Sequence, residues 1–599
     1  MLLKHHARKQ QSLNLHSHKT EEIVKRMSAF LRGYIKESIL GPLFKLFEAS
    51  LELIVPLIIA AIIDNGINGD TPDTSYVVKM SLLLVLLGAV GLAFSVTAQY
   101  FAAKASVGYV TKLRSSLFAH LGTLSYSELD RLGTNTMITR MTSDANQIQT
   151  GLNLGLRLLL RSPFVVFGAM IMAFTIDTSS ALSFVVAIAL LSVVVFGIML
   201  ISIPLYKKVQ SRLDNVTGKT RENLSGARVI RAFCKENDEI SEFSERNRNL
   251  TSVQMFVGRI SALMNPLTYV IINVAILWLI YTGAIEVNAG NLTQGEVVAL
   301  YNYMSQILVE LIKLANLIIT ITKAVASGAR INSVFDISSS LKYGTRTEGV
   351  DSDFAVEFTD VSLRYGASNE DSLSAISFKA RRGDTIGIIG GTGAGKTSLI
   401  NLIPRFYDPT GGVVLINGQD AKLYTEKSLR EAVAVVPQKA VLLKGTIRDN
   451  MKLGNADATD EEIYEALRIA QAEAVVNEKG GLDAAVEQGG KNFSGGQRQR
   501  LTIARALVKK PSVLILDDSA SALDYATDAG LRAALRKMDT GATVFIVSQR
   551  ASSIMHADKI IVLEDGEAVG IGTHSELLES CAVYKEIYAS QFSEEVPAV

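Results

Sequence analysis

Six stretches of this 599-residue chain are apolar for the length needed to cross a bilayer, and that excludes a single soluble core. They run Leu40–Ile63, Val77–Ala103, Leu152–Ile176, Ala181–Tyr206, Ala262–Gly283 and Val297–Val325. A hydrocarbon core about 30 Å thick is spanned by ~20 such residues in a helix. The run ALSFVVAIALLSVVVFGIMLISIPLY offers no polar stripe by which a helix packed in a soluble protein would meet water. A chain of this length also exceeds what one core can hold, so a second domain is expected.

Lys and Arg set the expected orientation. The segment before the first stretch carries Lys4, Arg8, Lys9, Lys19, Lys25, Arg26, Arg32 and Lys36, whereas the next connection, Asp64 to Tyr76, has neither residue type. The positive-inside rule then puts the N-terminus in the cytoplasm. The turns at Asp177–Ser180 and Ala284–Glu296 likewise lack Lys and Arg, while the connection holding Lys104, Lys112, Arg114, Arg131 and Arg140 and the one from Lys207 to Arg259 are basic. Both basic connections are long and rich in helix formers, so the spans are expected to continue as helices into the cytoplasm. No apolar run precedes residue 37, so a cleaved leader is not expected and insertion rests on the first span. Cys234 and Cys581 both fall on the cytoplasmic side, where a structural disulfide is not expected. A net charge of +1 gives no reason to expect nucleic acid as a partner.

Ionisable or strongly polar side chains inside the spans are costly and face a cavity or one another. Glu48, Glu52, Gln99, Arg157, Arg161, Glu310 and Lys313 are such residues. Glu310 and Lys313 are three apart, a spacing that lets them pair on one helix face, and Glu52 and Glu310 are candidates for a substrate path.

After the last span, FDISSSLKYGTRTEGVDSD is polar and without period, a linker by composition. From Phe354 short apolar runs (TIGIIG, AVAVVPQ, SVLILDD, TVFIVSQ) alternate with helical stretches, the pattern of an α/β domain with buried parallel strands. The expected organisation is a cytoplasmic segment at 1–36, a six-helix membrane domain at 37–335, a linker at 336–352 and an α/β P-loop domain at 353–599.

Within the last of these, Gly390, Gly391, Thr392, Gly393, Ala394, Gly395, Lys396 and Thr397 spell GGTGAGKT between a strand-like and a helix-like segment, with Ser398 following. The glycines let backbone N–H groups and a helix N-terminus cradle phosphate oxygens, Lys396 neutralises them and Thr397 can ligate Mg²⁺. Asp517 ends the apolar run Val513–Leu516, where a carboxylate would meet that metal. Ser494, Gly495, Gly496 and Gln497 open the helical RQRLTIARALVKK and make a second anion site, which one nucleotide cannot easily share with the first. An ordinary N-cap explains Ser494 alone.

These motifs, with Gln438 after a strand and SALD at Ser521–Asp524, resemble in order and spacing the nucleotide-binding domain of ABC transporters. Together with six preceding spans, the chain resembles a half-transporter of the exporter type over nearly all its length. The resemblance implies a head-to-tail dimer in which one chain's P-loop and the other's SGGQ sandwich each ATP. It also implies that Tyr365 stacks on adenine, Gln438 reaches the Mg²⁺ and senses the membrane domain, and Asp524 communicates across the dimer.

Departures from the family pattern narrow the reading. Asp518 stands where the family has a glutamate base, and Gln549 where it has histidine. Aspartate is one methylene shorter, leaving its carboxylate on the order of 1 Å short of the attacking water, and a neutral amide does less than histidine for charge developing on the γ-phosphate. With SGGQ intact, this resembles the degenerate-site subunit of bacterial heterodimeric multidrug exporters. The expected partner is a second, non-identical half-transporter carrying Glu and His at those positions. Phe493 in place of Leu before SGGQ is a mild apolar swap, and VEQGG at Val486–Gly490 departs from VGExG where contact with the inner loops is expected. The expected activity is ATP-driven export of a small amphipathic or hydrophobic substrate across the plasma membrane, with both termini cytoplasmic. Short helices around Tyr126–Arg131 and Glu222–Ala232 are the expected coupling contacts. Import of a metal chelate on the same scaffold, and an ATP-gated channel or regulatory subunit, remain as alternatives.

Overall fold

A computed structural model describes residues 26–68, 72–350, 352–366, 370–538 and 541–592. Of the basic residues that argue for orientation, Lys4, Arg8, Lys9, Lys19 and Lys25 lie outside the described residues. The chain divides into two compact units, one drawn from residues up to Gly122 and from Asn135–Ile337, the other from Thr123–Thr134 and from Ser338 onward.

Among its described residues the first unit contains six helices long and apolar enough to cross a membrane: Ile35–Ile67, Thr74–Leu121, Thr134–Ile176, Thr178–Ser225, Glu236–Asn288 and Gln294–Phe335. Every one outruns its apolar stretch. The 48-residue Thr74–Leu121 helix is about 72 Å long at 1.5 Å per residue, more than twice a hydrocarbon core. At the short-turn ends the sequence supplies caps that start three of these helices. Asp73 accepts from the Tyr76 N–H at 3.0 Å, Asp177 from Ser180 at 2.6 Å, and Thr293 with Glu296 forms a capping box.

The third span is interrupted. Its helix ends at Leu158 and restarts at Arg161, because Pro163 has no N–H to offer the carbonyl of Leu159. The restart brings Arg161 to a cross-span ion cluster. Its guanidinium donates to Glu52 and to Glu310, each at 2.5 Å, while Ser162 and Lys313 donate to Glu310 at 2.7 and 2.8 Å. Lys45 and Glu48 pair separately at 2.5 Å. Glu310 and Lys313 pair as their spacing predicts, and both carboxylates expected on a substrate path are engaged by Arg161. Gln99 is exposed. The two positive and two negative groups around Arg161 balance, which is what a low-dielectric interior requires.

In the second unit a six-stranded sheet runs Glu567–Gly572, Lys559–Glu564, Thr385–Gly390, Thr543–Val547, Val513–Asp517, Val433–Val436. Only the first of these is antiparallel to its neighbour. Successive residues feed two cores on opposite faces: Leu514, Leu516, Val544 and Ile546 enter one, and Val513, Ile515, Phe545 and Val547 enter the other. A strand buried on both faces must be apolar without alternation, which is why SVLILDD and TVFIVSQ read as continuous runs. A four-stranded antiparallel sheet is built on Phe354–Leu363. Cys234 and Cys581 are both free thiols.

Candidate functional site

The loop Gly390–Gly395 leaves the C-terminal end of strand Thr385–Gly390 and turns into helix Lys396–Leu402. Two of its glycines are required by conformation. Gly393 and Gly395 hold φ of +88° and +92°, and a Cβ on Gly395 would lie 2.8 Å from the Ser372 carbonyl oxygen. Gly395→Ala therefore combines a left-handed alanine, about 1–2 kcal/mol, with that clash. Affinity for a fluorescent ATP analogue is expected to fall by at least about tenfold, and an unchanged affinity would contradict the role given to the loop.

The loop opens on a cavity of ≈ 590 Å³. Thr392, Gly393, Gly395, Lys396, Thr397, Ser398, Gln438, Asp517, Asp518 and Gln549 line it, as the motifs predict. The Lys396 ammonium caps the loop's own carbonyls, Gly390 at 2.8 Å and Gly391 at 2.5 Å. Burial holds it below the ordinary lysine range, with the carboxylates of Asp518 and Asp517 opposing. Thr397 Oγ1 donates to both oxygens of Asp517, at 3.4 and 3.3 Å. Burial pushes the Asp517 carboxyl up, with Asp518 adding to the effect, so the pair would welcome a cation. Gln438 Nε2 donates to Asp518 Oδ2 at 3.3 Å. One amide thus joins the residue expected to touch the metal to the residue in the base position.

The backbone at both departures is pinned independently of the side chains. The Asp518 N–H donates to the Val547 carbonyl at 3.0 Å and the Ser521 hydroxyl to the Asp518 carbonyl at 2.8 Å. Gln591 on the last helix donates its side-chain amide to the Gln549 carbonyl at 2.7 Å. Asp518 itself sits at φ +45°, a region Asp tolerates better than most residues.

Other predicted residues lie elsewhere. Gly390, Gly391, Ala394 and Tyr365 do not line the cavity. Tyr365 is partly buried, and burial raises its hydroxyl above the ordinary tyrosine range, with Ser398 and Asn401 of the P-loop helix opposing. Ser494–Gln497 also stand apart from this cavity, at the start of helix Gly495–Val508. There Ser494 Oγ accepts from Gln497 N–H at 3.3 Å and Gln497 Oε1 accepts from Ser494 N–H at 2.9 Å. This capping box accounts for Gln497 as well as Ser494, more than an ordinary N-cap would. It leaves over the two glycines: a Cβ on Gly496 would lie 3.0 Å from the Ala522 carbonyl oxygen, whereas one on Gly495 would meet nothing within 4 Å. Asp524 caps helix Tyr525–Arg536, accepting from Thr527 N–H at 2.8 Å and its hydroxyl at 2.9 Å.

The motifs miss part of the wall. Glu370, Asp371, Ser372, Val547, Asp565 and Gly566 also line the cavity. Asp565 and Gly566 form the tight turn between the last two strands, both at positive φ. The Asp-Gly dipeptide between IIVLE and EAVGIG predicts that hairpin, but not that the Ser374 N–H would bond to the Gly566 carbonyl at 2.9 Å and bring the turn to the P-loop.

With two apolar-helix and P-loop units established, comparison with known proteins is direct. Residues 38–311 match the ABC transporter transmembrane region and residues 373–521 match the ABC transporter family. An uncharacterized ABC transporter ATP-binding protein of Mycobacterium tuberculosis is 35% identical over 570 residues, covering 94% of this chain and 97% of that one. The ATP-dependent lipid A-core flippase of Desulfotalea psychrophila is 33% identical over 487 residues, 80% of this chain and 84% of the relative. A solved bacterial Atm1-family ABC exporter with ATP bound shares the fold at a TM-score of 0.79, with 24% identity, over 94% of this chain and 100% of the other. The chain belongs to the ABC transporter family, with a membrane domain and an ABC-type ATPase domain in one polypeptide.

Proposed function

We propose that this chain is the weakly hydrolytic half of a two-chain ABC exporter in the plasma membrane, with both termini cytoplasmic. The observation that carries the reading is the pair Asp518 and Gln549, both on the wall of the P-loop cavity. ATP supplies the phosphoanhydride bond whose cleavage drives the cycle. Lys396 and the loop's backbone N–H groups hold its phosphates; Thr397, Asp517 and Gln438 hold Mg²⁺; and Tyr365 takes the adenine. Asp518 is too short, and Gln549 too weak a donor, to orient and stabilise an attacking water. Ser494–Gln497, with an unobstructed Gly495, are left to complete the companion's site, and Asp524 stands at the shared face.

Transport follows as alternating access. The helix Tyr126–Leu132 belongs to the nucleotide-binding unit, where the Tyr126 ring packs against Phe406, tilted by 34°, with centroids 4.4 Å apart. Helix Ala227–Ala232, the other expected coupling contact, leaves Val229 60% and Phe233 73% exposed, a surface suited to a companion's domain. The proposed substrate is small and amphipathic or hydrophobic, in keeping with spans in which Glu52, Arg161, Glu310 and Lys313 pair with one another. The relatives' names, a lipid flippase among them, agree with that class without selecting within it.

ATP turnover by the purified chain alone, compared with turnover after co-purification with a companion half-transporter bearing Glu and His, tests the proposal. The pair is expected to be at least about tenfold faster. Equal turnover by the lone chain would overturn it.

A further inference from the structure

The P-loop helix Lys396–Leu402 has seven residues and is about 10 Å long, with phosphate-holding groups at its N-terminus. The turn that follows, Ile403–Asp408, is held rigidly. Arg405 sits at φ +56° and is 2% exposed. Its guanidinium donates to Asp408 at 2.7 and 3.1 Å and to the Lys342 carbonyl at 3.0 Å, and lies 4.9 Å from the Tyr343 ring centre. A buried cation with that many partners fixes the backbone on either side of it.

Two aromatics project from this fixed turn. Phe406 packs its ring against Tyr126, as above. Tyr407 reaches in two directions, and its ring also lies 6.4 Å from that of Tyr126. Its ring meets Tyr365 edge to face, with centroids 5.0 Å apart at 88°, the preferred geometry for such a pair. Its hydroxyl donates to Asp130 Oδ2, in helix Tyr126–Leu132, at 2.6 Å. Burial, with the Asp130 carboxylate, pushes that hydroxyl above the ordinary tyrosine range, so it remains a donor at any physiological pH. The short helix is held at its start as well: Ser125 Oγ bonds with Glu128 and with Ser340 Oγ, the latter at 3.2 Å.

We infer that Tyr407 is a positioning residue that couples the ring of Tyr365 to helix Tyr126–Leu132, so that engagement of a nucleobase by Tyr365 is transmitted to that helix. The inference rests on the proposed adenine contact of Tyr365. It differs from a path through Gln438, because Gln438 faces the phosphate end of the site and would respond to any triphosphate. A Tyr365 to Tyr407 to Asp130 path responds only when a base is present.

The test places a nitroxide at Ser127→Cys, an exposed position on the short helix, in a Cys234→Ser background of the full chain in lipid nanodiscs; Cys581 is buried and stays unlabelled. Mg²⁺ with ATP is expected to change label mobility, and Mg²⁺ with inorganic tripolyphosphate to change it at least about fivefold less. Tyr407→Phe keeps the ring contact and removes the bond to Asp130, so the ATP response should fall by at least about fivefold with ATP affinity within about twofold of the parent. Asp130→Ala should do the same and Asp130→Asn, which keeps an acceptor, should restore most of the response. The Tyr407→Phe, Asp130→Ala double variant should be no worse than either alone. A response that survives Tyr407→Phe, or that tripolyphosphate drives as fully as ATP, overturns the relay. Tyr365→Ala separates the two layers: unchanged ATP affinity removes the adenine contact and the relay with it, whereas lost affinity alongside an intact Tyr407→Phe response sinks the relay alone.

Discussion

Arg161→Met is expected to destabilise the membrane domain by about 3–5 kcal/mol, the largest single-residue effect anticipated outside the nucleotide site. Arg161 is 7% exposed and Glu310 4% exposed, so removing the guanidinium leaves Glu310 with only Ser162 and Lys313, and Glu52 loses its ion pair. Three spans separated by more than a hundred residues meet at this one side chain. The same reasoning predicts partial rescue. Arg161→Met combined with Glu310→Gln removes one buried charge of each sign, leaves Glu52 and Lys313 in balance, and should recover at least half of the loss. Unfolding in detergent, followed by a fluorescence or light-scattering midpoint, reads both. Equal stability of Arg161→Met and the parent chain would show that the cluster contributes nothing.

The second large effect is a gain. Asp518→Glu with Gln549→His should raise the cleavage rate in this chain's own pocket by about a hundredfold, the scale of a positioned general base with improved charge stabilisation. The backbone at 518 is fixed by Val547 and Ser521, and that at 549 by Gln591, so the new side chains enter from the same points as the old. Asp518→Glu also puts a longer residue at φ +45°, a cost of up to about 1 kcal/mol. The doubly substituted protein is therefore expected to be faster and slightly less stable. A rate that does not move would mean that something other than these two side chains limits cleavage.

Much of this architecture was legible in the residues. Spans that are apolar on all faces, and strands buried on both, announce themselves because no polar stripe interrupts them. The strand–loop–helix that lines the cavity was legible for a similar reason: Gly393, Gly395, Lys396 and Thr397 lie within one short segment, so their spacing carries the geometry. Contacts that join distant segments were not. Glu310 and Lys313 could be paired from a spacing of three, but nothing in the sequence relates Arg161 to Glu52, 109 positions away. That the Thr74–Leu121 and Thr178–Ser225 helices run on to 48 residues each was legible from the helix formers in the long basic connections rather than from hydropathy, since those extensions are polar. Tyr407 carries no motif, and its partners come from residues 126, 130 and 365. The S-x-x-Q spacing of Ser494 and Gln497, by contrast, is local enough to be readable as a capping box.

The asymmetry of the two ATP pockets is the claim on which the functional reading stands, and it can be counted. The chain and its companion are loaded with radiolabelled ATP and Mg²⁺, allowed one turnover, freed of unbound nucleotide, and analysed for what each retains. The account predicts about one uncleaved ATP per pair, and loss of that ATP when Lys396 of this chain is replaced by alanine. Equal conversion to ADP in both pockets would contradict it.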